Sequence, residues 1–327
     1  MEVGHPEVSV VVPTYNRVGR LQHVLSALEQ QQFPAEDYEV IVVSDGSSDG
    51  TNDFLKDHRS ERTLRWFAQE NRGPAAARNA GVKEARGELI VFVDDDVVAR
   101  PQLLTEHVRA HREASGDVVV VGPLLSPEGF VMTPWVRWEQ EMLMKQYRAL
   151  IGGVWQPSAR QFYTGNASLP RTQFLAAGGF DEYFRRAEDV ELAYRLADRG
   201  LDFIFKMEAA GMHFAERSFS SWLDAAYTYG RNDVIFARDR NQEWLLSALE
   251  TEFRQRHILI RALVRACRGR ERLTSLTMSS LKLAANTATS LHADEIERVA
   301  YSALFNLQYY KGLRDEMADA QSLPFLR

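Results

Sequence analysis

Asp94, Asp95 and Asp96 stand in a row at the end of the apolar run Leu89-Ile90-Val91-Phe92-Val93. Three adjacent carboxylates repel one another unless something positive sits among them, and a hard divalent cation suits such oxygen donors. The bland alternative is a polar turn in which one aspartate caps a helix starting near Pro101. A second acidic pair, Glu188-Asp189, precedes Val190, Ala193 and Ala197, which are spaced as one helix face closed by Gly200. A carboxylate at a helix N-terminus is expected to stay ionised and well held, and N-cap chemistry alone could account for the pair. His213, a lone histidine between Met212 and Phe214, reads by itself as a satisfied core histidine. Tyr15 offers an aromatic face for a nucleotide base, or is simply buried. Asp45 could accept from a base N–H, although for Asp45 alone an Asx-turn before Gly46 is the favoured reading.

Periodicity supplies the elements that must hold these groups. Strands are expected at Val8–Val12, Tyr38–Val43, Leu64–Ala68 and Leu89–Val93, with helices at about 20–31, 51–58 and 75–85 between them. This alternation predicts an α/β fold with a doubly wound, mostly parallel sheet and helices on both faces. Right-handed crossovers would bring the polar clusters after all four strands to one sheet edge, where such folds bind ligands. No G-x-G-x-x-G follows the first strand and no G-x-x-x-x-G-K-[ST] occurs, which removes a dinucleotide fold and a P-loop ATPase. Further strands are expected at Asp117–Val121 and Phe203–Met207. The stretch from Gly129 to Tyr163 reads as irregular and aromatic, with Phe130, Trp135, Trp138, Tyr147, Trp155, Phe162 and Tyr163. Each aromatic ring suits a sugar face, but core packing is the favoured reading.

Four segments in this order resemble the family 2 glycosyltransferases of the GT-A fold: Val10-Val11-Val12-Pro13-Thr14-Tyr15-Asn16, Val43-Ser44-Asp45-Gly46-Ser47-Ser48-Asp49-Gly50-Thr51, Asn71-Arg72-Gly73 with Ala77-Arg78-Asn79-Ala80-Gly81, and Val93-Asp94-Asp95-Asp96. The resemblance covers roughly residues 7–217. It implies a nucleotide-sugar donor, with Pro13, Thr14, Tyr15, Asn16 and Asp45 on the base side and Arg78 near the diphosphate. Asp94 and Asp95 would face ribose and sugar, and Asp96 would bind Mn2+ or Mg2+, with His213 completing the shell. The family pattern is Asp-x-Asp; here the middle position is also aspartate, which blurs the roles of Asp94 and Asp95. Asn166, Gly178 and Gly179 would bracket the acceptor side. Asp189 would be the general base, with Glu188 steering hydroxyl groups.

The chain has 327 residues, 45% hydrophobic and 26% charged, enough for one large domain plus an appendage. A net charge of −6 argues against a nucleic-acid protein of uniformly basic surface. The single cysteine, Cys267, excludes an internal disulfide and a Cys-rich zinc site. No apolar run has signal-peptide or membrane-spanning length, so a cytoplasmic protein is expected. From about Phe219 the chain turns helical: Trp222–Arg238, Trp244–Cys267 and two helices within Leu276–Tyr310. Arginines 254, 256, 261, 265, 268, 270 and 272 flank Ile258, Leu259, Ile260, Leu263 and Val264. A solvated basic face packed on the catalytic domain is the favoured reading. A membrane-surface helix reaching a lipid-linked acceptor is the alternative.

With the resemblance, these readings imply an inverting, metal-dependent glycosyltransferase; UDP-sugars are favoured as donors because the family favours them, and the acceptor would be a saccharide, lipid-linked or small molecule. Residues 1–217 are assigned to the GT-A domain, about 7–100 for the donor and about 101–217 for the acceptor side and base; residues 218–327 form the helical C-terminal region. A non-catalytic nucleotide or sugar binder is the alternative from another class. A sugar-nucleotide pyrophosphorylase is the enzymatic one, though it needs a Gly-rich loop where Pro13-Thr14-Tyr15-Asn16 stands.

Overall fold

The computed structural model describes residues 5–60 and 63–317. The chain divides into two compact units, Met1–Val131 with Leu143–Ala215, and Met132–Met142 with Glu216–Arg327. In the first unit the order is β1 (Val8–Thr14), α1 (Val18–Glu29), β2 (Tyr38–Asp45), α2 (Thr51–Asp57), β3 (Thr63–Gln69), α3 (Pro74–Glu84) and β4 (Leu89–Val93). β5 (Val97–Ala99), α4 (Leu103–Glu113), β6 (Val118–Val121) and β7 (Leu124–Leu125) follow. After α5 (Pro134–Ile151) come β8 (Asn166–Pro170), α6 (Arg171–Ala176), α7 (Glu188–Asp198), β9 (Asp202–Phe205) and β10 (Gly211–His213).

β1, β2 and β4 are buried along their whole length because helices cover both faces of the sheet, as their uninterrupted apolar sequences require. Leu21, Val24, Leu25 and Leu28 of α1 pack with Val8, Val10 and Val12 on one face. On the other face α3 approaches so closely that a Cβ at Gly81 would lie 2.5 Å from the Val11 side chain. The large sheet has the order β3-β2-β1-β4-β8-β6-β9. β8 alone runs against its neighbours, so the sheet is mostly parallel as expected. The register pairs Thr14 with Ser44 and Asp45 with Gln69, while Val8 pairs with Leu89. The polar segments after β1, β2, β3 and β4 therefore emerge at one edge. A second sheet, β5-β10-β7, pairs His213 with Val97 and so sets the histidine beside Asp96.

The segment read as irregular is a correction: Pro134–Ile151 is an 18-residue helix. Its aromatics alternate with Arg137, Glu139, Gln140, Glu141, Lys145 and Gln146, good helix formers that outweigh the bulky rings. Trp138, Tyr147 and Phe162 are buried, in line with the core reading, whereas Trp155 is exposed.

The second unit adds α8 (Phe219–Asp239), α9 (Trp244–Gln255), α10 (Ile258–Cys267), α11 (Glu271–Ser290) and α12 (Asp294–Glu316). The expected helix over Trp244–Cys267 is broken: Arg256 is extended and the His257 ring accepts from the Leu259 N–H, capping a new helix. Gly230 and Gly312 let α8 and α12 touch backbone to backbone. A Cβ at either would lie 2.0 Å from a carbonyl oxygen, of Tyr309 and Tyr227 respectively. Among the described residues no helix is long and apolar enough to cross a membrane.

Candidate active site

The loop after β1 is tied to the loop after β2. Asn16, at φ +53°, accepts from the Ser48 N–H at 2.7 Å and donates its own N–H to Ser47 Oγ at 3.1 Å. The Val18 N–H donates to Asp49, whose other oxygen takes both the N–H and the hydroxyl of Thr51. Pro13 and the buried Thr14 end β1, and Tyr15 stands beyond them 50% exposed, so its ring is open to a ligand. Asp45 does not form the Asx-turn. Its carboxylate accepts from Gln69 Nε2 (2.8 Å), the Arg72 N–H (2.9 Å) and the Gly73 N–H (2.8 Å), clamping the β3–α3 loop.

None of the three aspartates caps α4, whose N-cap is Gln102. The positive charge among them comes from Arg17, a residue the sequence reading passed over although it directly follows Asn16. Its Nη1 lies 3.1 Å from Asp95 Oδ1 and also bonds Asp96 Oδ2. The second Asp96 oxygen is 3.5 Å from His213 Nε2. Burial raises the Asp95 carboxyl to about 6 although Arg17 opposes it. Burial acts on Asp96 too, but His213 and Arg17 together outweigh it and hold Asp96 at about 2. The oxygen of Asp96 and the nitrogen of His213 are donors that suit Mn2+ or Mg2+. Among the described residues no three His, Cys, Asp or Glu side chains gather at metal-binding spacing, so a cation here would need further oxygen ligands from water or a bound substrate. Arg17, which bridges Asp95 and Asp96, is 41% exposed, so this ion pair faces solvent on the arginine side.

Arg78 joins the two acidic motifs. It is 5% exposed, donating Nη2 to Asp94 (2.7 Å) and Nη1 to Glu188 (2.9 Å). Its two terminal nitrogens thus engage carboxylates at the end of β4 and on α7, while its buried Nε has no hydrogen-bond partner among the described residues. Asp189, next to Glu188 in the first turn of α7, accepts the Val190 N–H at 2.8 Å. The expectation that the helix N-terminus keeps it ionised is corrected here. Burial first, then the charge of Glu188, push Asp189 up to about 7, more than the Val190 N–H and Arg78 can offset. A carboxyl with this value exchanges protons near neutrality.

Asn166 is fully buried and its amide is occupied. Its Oδ1 accepts from His107 Nε2 (2.9 Å) and its Nδ2 donates to the carbonyls of Pro123 (3.2 Å) and Ala209 (2.7 Å). It frames the turn whose Gly165 carbonyl accepts the Asp94 N–H. His107 and His111 both meet the Ser168 hydroxyl, and burial lowers both imidazoles to about 4. No local spacing in the sequence announces this network. Gly178 and Gly179 end α6 at φ +85° and +71°, and a Cβ on Gly179 would lie 2.7 Å from Asn79 Oδ1. Arg195 of α7 donates to the Gly179 carbonyl at 2.7 Å, fixing the glycine pair to the helix that carries Asp189.

The sequence profile described as Glycosyl transferase family 2 matches residues 9–178, just over half of the chain. The chain belongs to glycosyltransferase family 2. The membership expected from the four motifs is thereby borne out, and so is the GT-A-type fold with its C-terminal helices. Validoxylamine A glucosyltransferase of Streptomyces hygroscopicus subsp. jinggangensis is 34% identical over 233 residues, 63% of this chain and 55% of that protein. Glycosyltransferase AglE of Haloferax volcanii is 26% identical over 247 residues, 75% and 76% of the two chains. The match spans about half the length of the first of these relatives. The mannosyltransferase PcManGT of Pyrobaculum calidifontis, solved with GDP-Man and Mn2+, shares the fold with a TM-score of 0.63 at 20% identity, over 97% of this chain and 88% of that one. Staphylococcus aureus TarS with UDP-GlcNAc gives 0.56 at 18%, over 91% of each.

Proposed function

We propose that this family 2 chain transfers a sugar from a nucleotide-sugar to an acceptor hydroxyl with inversion, Asp189 acting as general base. The observation that carries the reading is Arg78, which ties Asp94 of the donor-side cluster to Glu188 beside Asp189. In this reading residues 1–217 carry the transfer, about 7–100 holding the donor and about 101–217 the acceptor. Tyr15 stacks on the base, Asp45 keeps the base-side loop in shape, and Asp94 and Asp95 face ribose and sugar. Asp189 takes the acceptor proton as that oxygen bonds to the anomeric carbon from the face opposite the breaking bond to the diphosphate. Glu188 orients hydroxyl groups, and its charge keeps Asp189 basic enough to work near neutral pH. Mn2+ or Mg2+ held by Asp96 and His213 would supply positive charge for the departing diphosphate. A UDP-sugar is favoured as donor: TarS, 34% identical over 115 residues, is a poly(ribitol-phosphate) β-N-acetylglucosaminyltransferase and was solved with UDP-GlcNAc.

The test is thermal stabilisation by UDP, GDP, ADP, CDP and dTDP with and without Mn2+. A ligand at a hundredfold excess over its dissociation constant stabilises the native state by about 2.7 kcal/mol. One nucleotide should raise the melting temperature in a metal-dependent way; no shift with any of them would overturn the donor site.

A further inference from the structure

We propose that α10 and α11 as far as Leu283 form a docking surface for an anionic lipid bilayer. This lies outside the transfer reaction and uses the arginine-rich stretch that the reaction leaves unexplained. On α10, Ile260, Val264 and Cys267 point into the core of the second unit, against Leu249, Phe253, Leu307 and Tyr310. The same helix carries Ile258 and Leu259 outward, each 65% exposed, with the exposed Ala262 and Ala266 following at helical spacing. A helix with apolar side chains on both sides is ordinarily covered on both. After Arg268-Gly269-Arg270 the pattern continues on α11, where Leu273, Leu276 and Leu283 are 38%, 67% and 68% exposed at spacings that share one face.

Charge selects the occupant. Between Arg256 and Leu283 stand six arginines and Lys282 against one carboxylate, Glu271, in a chain whose net charge is −6; Arg254, just before them, is paired with Glu250. A folded protein partner would need an apolar patch ringed by acid. An anionic membrane meets both demands at once, with headgroups for the guanidinium groups and acyl chains for Ile258, Leu259, Leu276 and Leu283. Each Arg or Lys near such a surface is worth about fivefold in partitioning, and the effect decays within a Debye length. Nucleic acid would use the arginines but leave the leucines idle.

The experiment is co-flotation of the full chain with phosphatidylcholine vesicles and with vesicles containing phosphatidylglycerol, at low and high salt. Binding is expected to the anionic vesicles alone, to weaken with salt, and to fall at least about tenfold in the Ile258→Glu/Leu259→Glu and Leu276→Glu variants. The variants change exposed side chains, so their melting temperature and their response to nucleoside diphosphates should match the wild type; this separates the surface from the donor site. Three results overturn the proposal: no flotation with anionic vesicles at low salt, flotation lost on Arg265→Glu/Arg272→Glu yet unchanged by the leucine-face variants, or a dimer in sedimentation that Leu259→Glu converts to monomer. The last would assign the face to a second copy of the chain.

Discussion

Arg78→Met tests whether one buried cation holds the two acidic motifs together. Its side chain is 6% exposed and contacts Glu188, 9% exposed, and Asp94, 34% exposed. Breaking a buried pair by removing one partner costs about 3–5 kcal/mol, because the survivor is left charged in a poor solvent. The Asp94 contact is partly screened and adds less than about 1 kcal/mol. A loss of about 3–6 kcal/mol is expected for the first unit, a drop of roughly 6–24 °C in melting temperature for a unit of this size. Urea unfolding should show a lower midpoint at unchanged slope. Arg78→Met combined with Glu188→Gln should recover most of the loss, since the uncompensated charge is then gone. A single variant costing under about 1 kcal/mol, or a double variant whose cost is the sum of the singles, would refute the bridge.

Asp189→Asn should leave nucleotide binding intact and cut transfer by about 10²–10⁴-fold, measured as turnover against UDP affinity. With Asp189 near 7, the wild-type rate should rise with pH through that value. The same raised carboxyl favours the folded state below its ordinary value of 3.8, a contribution lost as pH climbs through 7. His107 and His111 act oppositely: their folded imidazoles protonate near 4 rather than 6.5, so stability falls as pH drops from 6.5 to 4, by roughly 3 kcal/mol for the fully buried His107. Acid melting curves should flatten in that window in His107→Gln. Arg17→Gln should bind Mn2+ about tenfold more tightly in the absence of nucleotide, read by calorimetry, because the guanidinium no longer competes for Asp96. Gly230→Ala should destabilise the second unit by at least about 1–3 kcal/mol in thermal unfolding, since α8 and α12 must part to admit a methyl group.

Much of the donor half was legible from the sequence because its information is local. Buried parallel strands announce themselves as unbroken apolar runs, as in Val8–Val12 and Leu89–Val93, and chain chirality alone sends their ends to one edge. Helix α5 was not legible because Trp135, Trp138 and Tyr147 are ring types that favour strands, against the helix their neighbours form. The strands β5, β7 and β10 were hidden because two or three residues carry no period. Residue types by themselves nominated Asp94, Asp95, Asp96, Glu188, Asp189 and His213. Only the tertiary structure decided their partners: Arg17 between Asp95 and Asp96, Arg78 across 110 positions to Glu188, His213 beside Asp96 through the β5–β10 pairing. It also decided the proton affinity of Asp189, which helix position alone had misjudged. The physical reason is common to all of these. Desolvation and charge–charge energies depend on distance and burial in space, and a sequence records neither.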